Sequence, residues 1–367
     1  MSQYIDFLDN PIYDTEPGSI DEVEKWWIER QEALERAGYM LRPRFRPGWE
    51  PSWSGTKKFH LNFEDGIGMR YRLGMDATRI SDGKQVMLKR LLYKEGPYEL
   101  EINKLFSTEP LLSDPRNRCV RLLDVIELPN DPPIMVHPLL RPFYDPRLQT
   151  YGEFVTFFSQ TCEGVQFMHE NNVAHRDCTS ENIMLDPSNM YPESFHPADI
   201  ERGKDFRGKA KYHSRTRRPT RYLLIDFGLS RRYDPANGPP LEKPIHGGDK
   251  TPPEHKDMNT PCNPFPTDVY YLGNLVRENY IQKCKGFEFM EPLVTDMVQD
   301  DPMKRPTMEA VVTRFSEIRG KLSTWKLRSR IARKNELWPV TVWRSISHWC
   351  RTVGYVLGGK AAIPEPK

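Results

Sequence analysis

Residues 175–182 read His175-Arg176-Asp177-Cys178-Thr179-Ser180-Glu181-Asn182. They lie between a long stretch of helical apolar spacing, FVTFFSQTCEGVQFMHE at 154–170, and the strand-like Ile183-Met184-Leu185-Asp186. A second short motif, Asp226-Phe227-Gly228, follows the strand-like Tyr222–Ile225. Transfer of a phosphoryl group to a hydroxyl needs a carboxylate to take the proton and oxygen ligands to hold magnesium on the phosphates. Asp177, Asn182 and Asp226 can supply those groups. Either triplet alone is three common residues; both in this order, each beside a strand, form a specific signal.

Working toward the amino terminus, MRYRLGMDATRI (69–80) and QVMLKRLL (85–92) enrich apolar and β-branched residues, and Asp82-Gly83 between them suits a tight hairpin turn. PYELEINKLFS (97–107) places Tyr98, Ile102, Leu105 and Phe106 at helical spacing, and two strand-like runs, CVRLLDVIEL and PIMVHPLL, follow. Earlier still, Ser19 or Asp21 can cap a helix over about 21–37 that carries Trp27 and Leu34 and ends at Gly38. The next stretch, LRPRFRPGWEPSWSG, is too rich in proline to be helical and predicts an extended strap. Toward the carboxyl terminus, helices are expected near 268–280, 288–299 and 307–320 with few strands between.

Composition sets the outer bounds. Of the 367 residues, 38% are apolar and 28% charged, which excludes a disordered chain and fibrous repeats. The net charge of +2 conceals segregation: residues 201–221 hold nine Lys/Arg against two acids and 321–367 hold ten against two, which leaves the rest at −13. The six cysteines form no CxxC pair and the acidic start MSQYIDFLDN has no apolar signal core, so a reduced cytoplasmic or nuclear setting is expected. No run of 18 apolar residues exists, so no transmembrane segment is expected.

Across roughly 65–322 the chain resembles the eukaryotic protein kinase superfamily, and within it the kinase-domain proteins of basidiomycete fungi. Val86-Met87-Leu88-Lys89 matches the strand with the phosphate-contacting lysine, and Ala77, twelve residues earlier, matches the alanine over the adenine. The resemblance gives Glu101 as the partner of Lys89, with Glu99 as rival, and makes Pro138–Leu140 the hinge of the adenine pocket, with Leu140 against the base and His137 at its back. Thr251-Pro252-Pro253-Glu254 resembles the end of an activation segment, and Glu254 should pair with Arg305 of DPMKRPT. It implies ATP and Mg2+ as cofactors, with Asp177, Lys89, Asn182 and Asp226 catalytic and Asn182 and Asp226 on the metal.

The chain also departs from the family. The glycine-rich lid is degraded: an ungapped alignment places Ile67, Met69 and Arg72 at the three glycines, and a one-residue slip recovers only Gly66 and Gly68. Thr179 stands two after Asp177, where typical serine/threonine members carry lysine. Asp177 and Asp226 are 49 residues apart, so the basic block 201–221 lies in an insertion that should emerge near the active-site rim. That block reads as a solvated loop or as a clamp for an acidic or polyanionic partner. The tail mixes Trp338, Trp343, Trp349 and Tyr355 with Arg and Lys, and reads as a segment docked on its own domain or lying on an anionic membrane.

The expectation is an α+β, two-lobed kinase-like fold: an extension over 1–64, a kinase-like domain over 65–322 with a β-rich N-lobe (about 65–140), a mostly helical C-lobe (about 141–322) and an insertion at about 187–220, then a basic aromatic tail over 323–367. The expected function is ATP- and Mg-dependent phosphorylation of a protein hydroxyl, of the Ser/Thr type. The alternatives are a pseudokinase scaffold and, third, a small-molecule kinase.

Overall fold

Val86 and Leu88 are buried while Met87 and Lys89 between and after them are only half-buried, the alternation of a strand with one face in a core. That strand organises the first of two compact units in the computed structural model, which describes residues 17–69, 73–94, 96–245 and 247–366. The first unit takes the residues up to Ser107 together with Val120–Leu140 and Tyr191–Tyr212. Its elements are helices α1 (Glu22–Ile28) and α2 (Gln31–Arg36), strands β1 (Tyr39–Leu41), β2 (Gly74–Arg79) and β3 (Gln85–Arg90), helix α3 (Glu99–Phe106), and strands β4 (Asp124–Ile126) and β5 (Ile134–Pro138). The sheet is antiparallel with order β1-β2-β3-β5-β4. The expected hairpin forms, with Gly83 at φ +66 and Asp82 paired to Arg79 at 2.6 Å.

The extension does not stand apart from the sheet. Trp27, Leu34, Tyr39, Leu41 and Phe45 share one core with Val86, Leu88, Ile134 and Val136, and Tyr39–Leu41 is the sheet's edge strand against β2. Fully buried Arg44 donates to both Glu24 oxygens and to the carbonyls of Asp65 and Ser19. The boundary read at 64/65 therefore falls inside a single packed body. Asp21 is the cap, accepting from Glu24 N at 2.7 Å, but the single helix expected over 21–37 is two. The break falls at Arg30, which grips Asp131 with two hydrogen bonds of 2.8 Å.

The second unit takes Thr108–Cys119, Arg141–Met190 and the residues from His213 onward. It contains β6 (Arg141–Pro142), α4 (Tyr151–Glu170), β7 (Val173–Ala174), β8 (Ile183–Leu185), β9 (Tyr222–Leu224), β10 (Arg231–Arg232), α5 (Pro264–Val276), α6 (Glu291–Met297), α7 (Met308–Lys321), α8 (Thr324–Arg328) and α9 (Trp338–Leu357). The apolar positions read in 154–168 are buried: Phe154, Phe157, Phe158, Val165 and Met168. Thr150 caps α4 by accepting from Glu153 N, and Asn263 and Thr307 cap α5 and α7 in the same manner. The whole is a mixed α+β fold.

The basic insertion is divided between the units rather than solvated along its length. Residues 191–212 fold on the first, where His196 Nε2 meets Glu64 at 3.0 Å and Ser194 donates to Gln85 at 2.7 Å. Residues 213–221 belong to the second, where buried Arg215 donates to Phe143 O at 2.6 Å and Thr216 donates twice to Glu153.

Candidate functional site

The site is built on a short antiparallel pairing in the second unit. Strand β8 pairs with β9 in the register Ile183↔Leu224, and Ile225 N donates to Asn182 O at 3.0 Å. Asn182 and Asp226 thus stand at adjoining ends of neighbouring strands. Asp226 adopts a left-handed backbone (φ 62, ψ 78) and accepts from Gly228 N at 3.2 Å. Arg176 is also left-handed, at φ 67. Such conformations cost about 1–3 kcal/mol each outside glycine and are retained where surrounding structure over-determines them, which is common at functional sites.

Asp177 is nearly buried, and both its carboxylate oxygens are engaged. Oδ1 accepts from Gly248 N at 2.7 Å and Oδ2 from Asn182 Nδ2 at 2.8 Å, while Asn182 Nδ2 also donates to Asp177 O at 2.9 Å. With its nitrogen committed to Asp177, Asn182 has Oδ1 as its possible metal ligand. Burial pushes the Asp177 carboxyl up to about 7, with the nearby charges of Asp226 and Asp268 acting in the same direction against the Gly248 and Asn182 donors. A group near 7 can change protonation state under ordinary conditions, which a proton acceptor needs.

The loop carrying Asp177 is held from beneath by Asp268, a fully buried residue of α5 that accepts from His175 N at 2.8 Å and Arg176 N at 2.7 Å and contacts His169 Nε2 at 2.9 Å. The His175 ring packs against Phe227 at 5.7 Å between centroids, and Asp177 N donates to His175 Nδ1 at 3.3 Å. Burial depresses the His175 pKa, which keeps the ring neutral and able to accept. Arg176 donates to Lys243 O at 3.2 Å and approaches Glu242 at 3.4 Å, fixing the segment that leads to Gly248. The pair read between Glu254 and Arg305 is present and bidentate, 2.7 Å on each arm.

Two glycines were not singled out by sequence reasoning. A Cβ on Gly247 would meet Asp177 Oδ1 at 2.5 Å, so only glycine allows the chain this close to the carboxylate. Gly248 backs onto Thr179, whose buried hydroxyl has no hydrogen-bond partner among the described residues. The signal available was the paired Gly247-Gly248 shortly before Thr251-Pro252-Pro253-Glu254.

In the first unit, Lys89 is paired with Glu99, not with Glu101. Helix α3 begins at Glu99 and buries Glu99, Ile102, Asn103 and Phe106 on one face, whereas Glu101 is exposed. Ala77 is also reassigned. It pairs with Val86 and lies in the core on the sheet face opposite Lys89. Lys89's face is shared by Met87, by Met135 and His137 opposite them in β5, and by Gly74 and Asp76 opposite them in β2. Leu140 lies two residues beyond β5 and is half-buried.

The proposed lid glycines have other occupations. Gly66 N donates to Phe63 O at 3.2 Å, and a Cβ there would lie 2.1 Å from His60 O, so glycine at 66 is explained by packing. The Gly68 carbonyl accepts from Arg42, which also binds Asp76 of β2 at 2.8 Å and Glu64 at 3.0 Å. Residues 70–72 of the lid alignment lie outside the described residues.

Asn182 and Asp226 offer hard oxygens, and no cluster of three or more His, Cys, Asp or Glu able to hold a metal occurs among the described residues. A magnesium ion here would complete its shell with phosphate oxygens and water, its ordinary mode at phosphate sites. The chain matches no protein-family model and no curated protein sequence.

Proposed function

We propose that the protein transfers the γ-phosphate of ATP, with magnesium, to a hydroxyl of a protein substrate. The observation that carries this reading is the Asp177–Asn182 hydrogen bond at 2.8 Å, set on an adjoining strand end to Asp226. In this reading Asp177 is the proton acceptor, and Asn182 and Asp226 are the two oxygen donors to the metal. Asp177 orients the acceptor hydroxyl and takes its proton. Asn182 and Asp226 supply metal ligands, and Lys89, steadied by Glu99, braces the phosphates. The sheet order β1-β2-β3-β5-β4 with the lysine on β3 supports the kinase-like resemblance.

The competing reading is a pseudokinase or scaffold that binds nucleotide or partners without efficient catalysis, favoured by one observation: the amide of Gly66, one of the two glycines left in the degraded lid, is committed to Phe63 and cannot help to position a phosphate for transfer. Purified protein with Mg-ATP and mixed peptide substrates, assayed beside Asp177→Asn, separates the two. Transfer in the parent that the variant loses supports the enzyme; a thermal shift with Mg-ATP and no transfer supports the scaffold.

The insertion adds a partner class to this reading. Lys204, Arg207, Lys209, Lys211, Arg217, Arg218 and Arg221 are exposed, and they suit an acidic substrate or polyanion. Heparin binding that weakens steeply with salt and is lost on reversing Arg217 and Arg218 to Glu would support it; salt-independent binding would return these residues to solvated surface.

A further inference from the structure

Helix α9 is turned the wrong way for a helix that only packs on its own domain. An amphipathic surface helix ordinarily buries its apolar stripe and shows water its polar face. In α9 the residues facing the rest of the second unit are polar: His348 and Thr352 are buried, with His348 Nε2 on Arg328 O at 2.9 Å, and Tyr355 bonds Ser214 Oγ at 2.6 Å. The apolar stripe points outward. Val342, Ile346, Val353 and Val356 recur at helical spacing and are exposed, with Trp338 at 77%, Trp343 at 73% and Leu357 at 83%. Trp325 extends the patch by stacking on Trp349 at 4.5 Å while remaining exposed. A contiguous apolar surface of this kind on a folded protein marks an interaction site.

The charges around the stripe indicate what covers it. Helix α9 contains no Asp or Glu, and residues 321–367 carry ten Lys/Arg against two acids. Both acids are neutralised locally, Glu336 by Arg330 and Arg344 at 2.7 Å each and Glu365 by Arg319. Arg333, Lys334, Arg351 and Lys360 are exposed. No helix among the described residues is long and apolar enough to cross a membrane. An outward apolar stripe with tryptophans, bordered by unneutralised cations and lacking acids, matches a helix that lies in the interface of an anionic bilayer. We infer that α9 seats this protein on an anionic membrane surface, with Trp343, Ile346 and Val353 inserted among the acyl chains and the flanking cations on the headgroups. This inference stands apart from the phosphotransfer reading, because it uses no residue of that site.

The test is co-sedimentation of the full chain with phosphatidylcholine vesicles, with and without phosphatidylserine. Binding is expected to the anionic vesicles only, falling as salt shortens the Debye length from about 10 Å at 0.1 M to about 3 Å at 1 M. Replacing two inserted side chains, Trp343→Glu with Ile346→Glu, should reduce binding by about tenfold or more. Both positions are exposed, so circular dichroism and melting temperature should be unchanged; if the double variant does not fold, Val353→Glu gives the same readout. No binding by the parent, equal binding to both vesicle types, or undiminished binding by the folded variants would overturn the proposal. A lipid-free dimer seen by light scattering, abolished by the same substitutions, would replace it with self-association.

Discussion

The backbone N–H of Gly248 donates to Asp177 Oδ1 at 2.7 Å, so the carboxylate at the centre of the site is aimed by the main chain of a segment 71 residues later. A side-chain donor brings rotamers of its own, whereas a backbone amide next to a glycine is placed by the fold alone. The arrangement works only while Gly247 lets the chain approach.

Gly247→Ala is therefore expected to push the Asp177 carboxylate aside. Its backbone is not in the left-handed region, so the clash at Oδ1 is the main effect rather than conformational strain. Misplacement by about 1 Å can lower a rate by about a hundredfold. Phosphoryl transfer should fall on that scale while the melting temperature changes little; full activity in Gly247→Ala would show that Asp177 does not need this support.

The side chains to which we assign the proposed chemistry were legible because they sit in short motifs whose order and spacing are themselves the signal. Asp177, Asn182 and Asp226 are brought together as those motifs imply. Glu99 was legible in principle. It lies three residues before Ile102, one turn along the buried face, whereas Glu101 is adjacent to Ile102 and so turned about 100° away. Ala77 was misplaced because spacing along the chain does not reveal the face of a strand, which the pairing with Val86 fixes. The role of Gly247 could not be read, since its cause is an atom 70 positions away. The same holds for the insertion, whose course is set by single long-range bonds such as His196 to Glu64. The outward stripe of α9 needed the structure too, because periodicity reveals amphipathicity but not which face is covered.

The pH profile of transfer follows from the Asp177 carboxyl, held at about 7 chiefly by burial. Only the ionised form accepts a proton, so the rate should rise about tenfold per pH unit below 7 and level off above it. The stability contribution has the opposite sign. A carboxyl raised in the folded state favours folding at low pH, and that contribution is lost as pH rises from about 4 toward 7. A rate that is flat from pH 5 to 8, with the protein folded throughout, would remove Asp177 from the proton-accepting role.

Arg305→Leu should be the most destabilising of the substitutions considered. The guanidinium makes both contacts to Glu254 and also donates to Gln299 O at 2.8 Å, and breaking one side of a buried pair commonly costs about 3–5 kcal/mol. Burial alone would raise the Glu254 carboxyl, but Arg305 outweighs it and holds the group below its ordinary value. The pair's stabilisation is thus present above about pH 4.3, the unfolded value, and is lost as pH falls through the lower folded value. Denaturant titrations at pH 7 and at pH 3 should show the difference between parent and variant shrinking at acid pH; an equal difference at both would mean that Glu254 is not the group responsible.

The choice between Glu99 and Glu101 can be settled without any assay of catalysis. If Lys89 braces the phosphates and Glu99 positions Lys89, Mg-ATP should raise the melting temperature of the parent by a shift corresponding to about 2.7 kcal/mol at a hundred times Kd. Lys89→Met should remove most of that shift. Each variant is compared with its own ligand-free form, which separates nucleotide binding from any loss of basal stability. Glu99→Gln should shrink the shift, because the pairing it weakens joins two largely buried side chains and fixes where the ammonium points. Glu101→Gln should leave it unchanged, since Glu101 is exposed on the other side of α3. A shrunken shift in Glu101→Gln with a normal one in Glu99→Gln would reverse the assignment, and an undiminished shift in Lys89→Met would place the nucleotide away from β3 altogether.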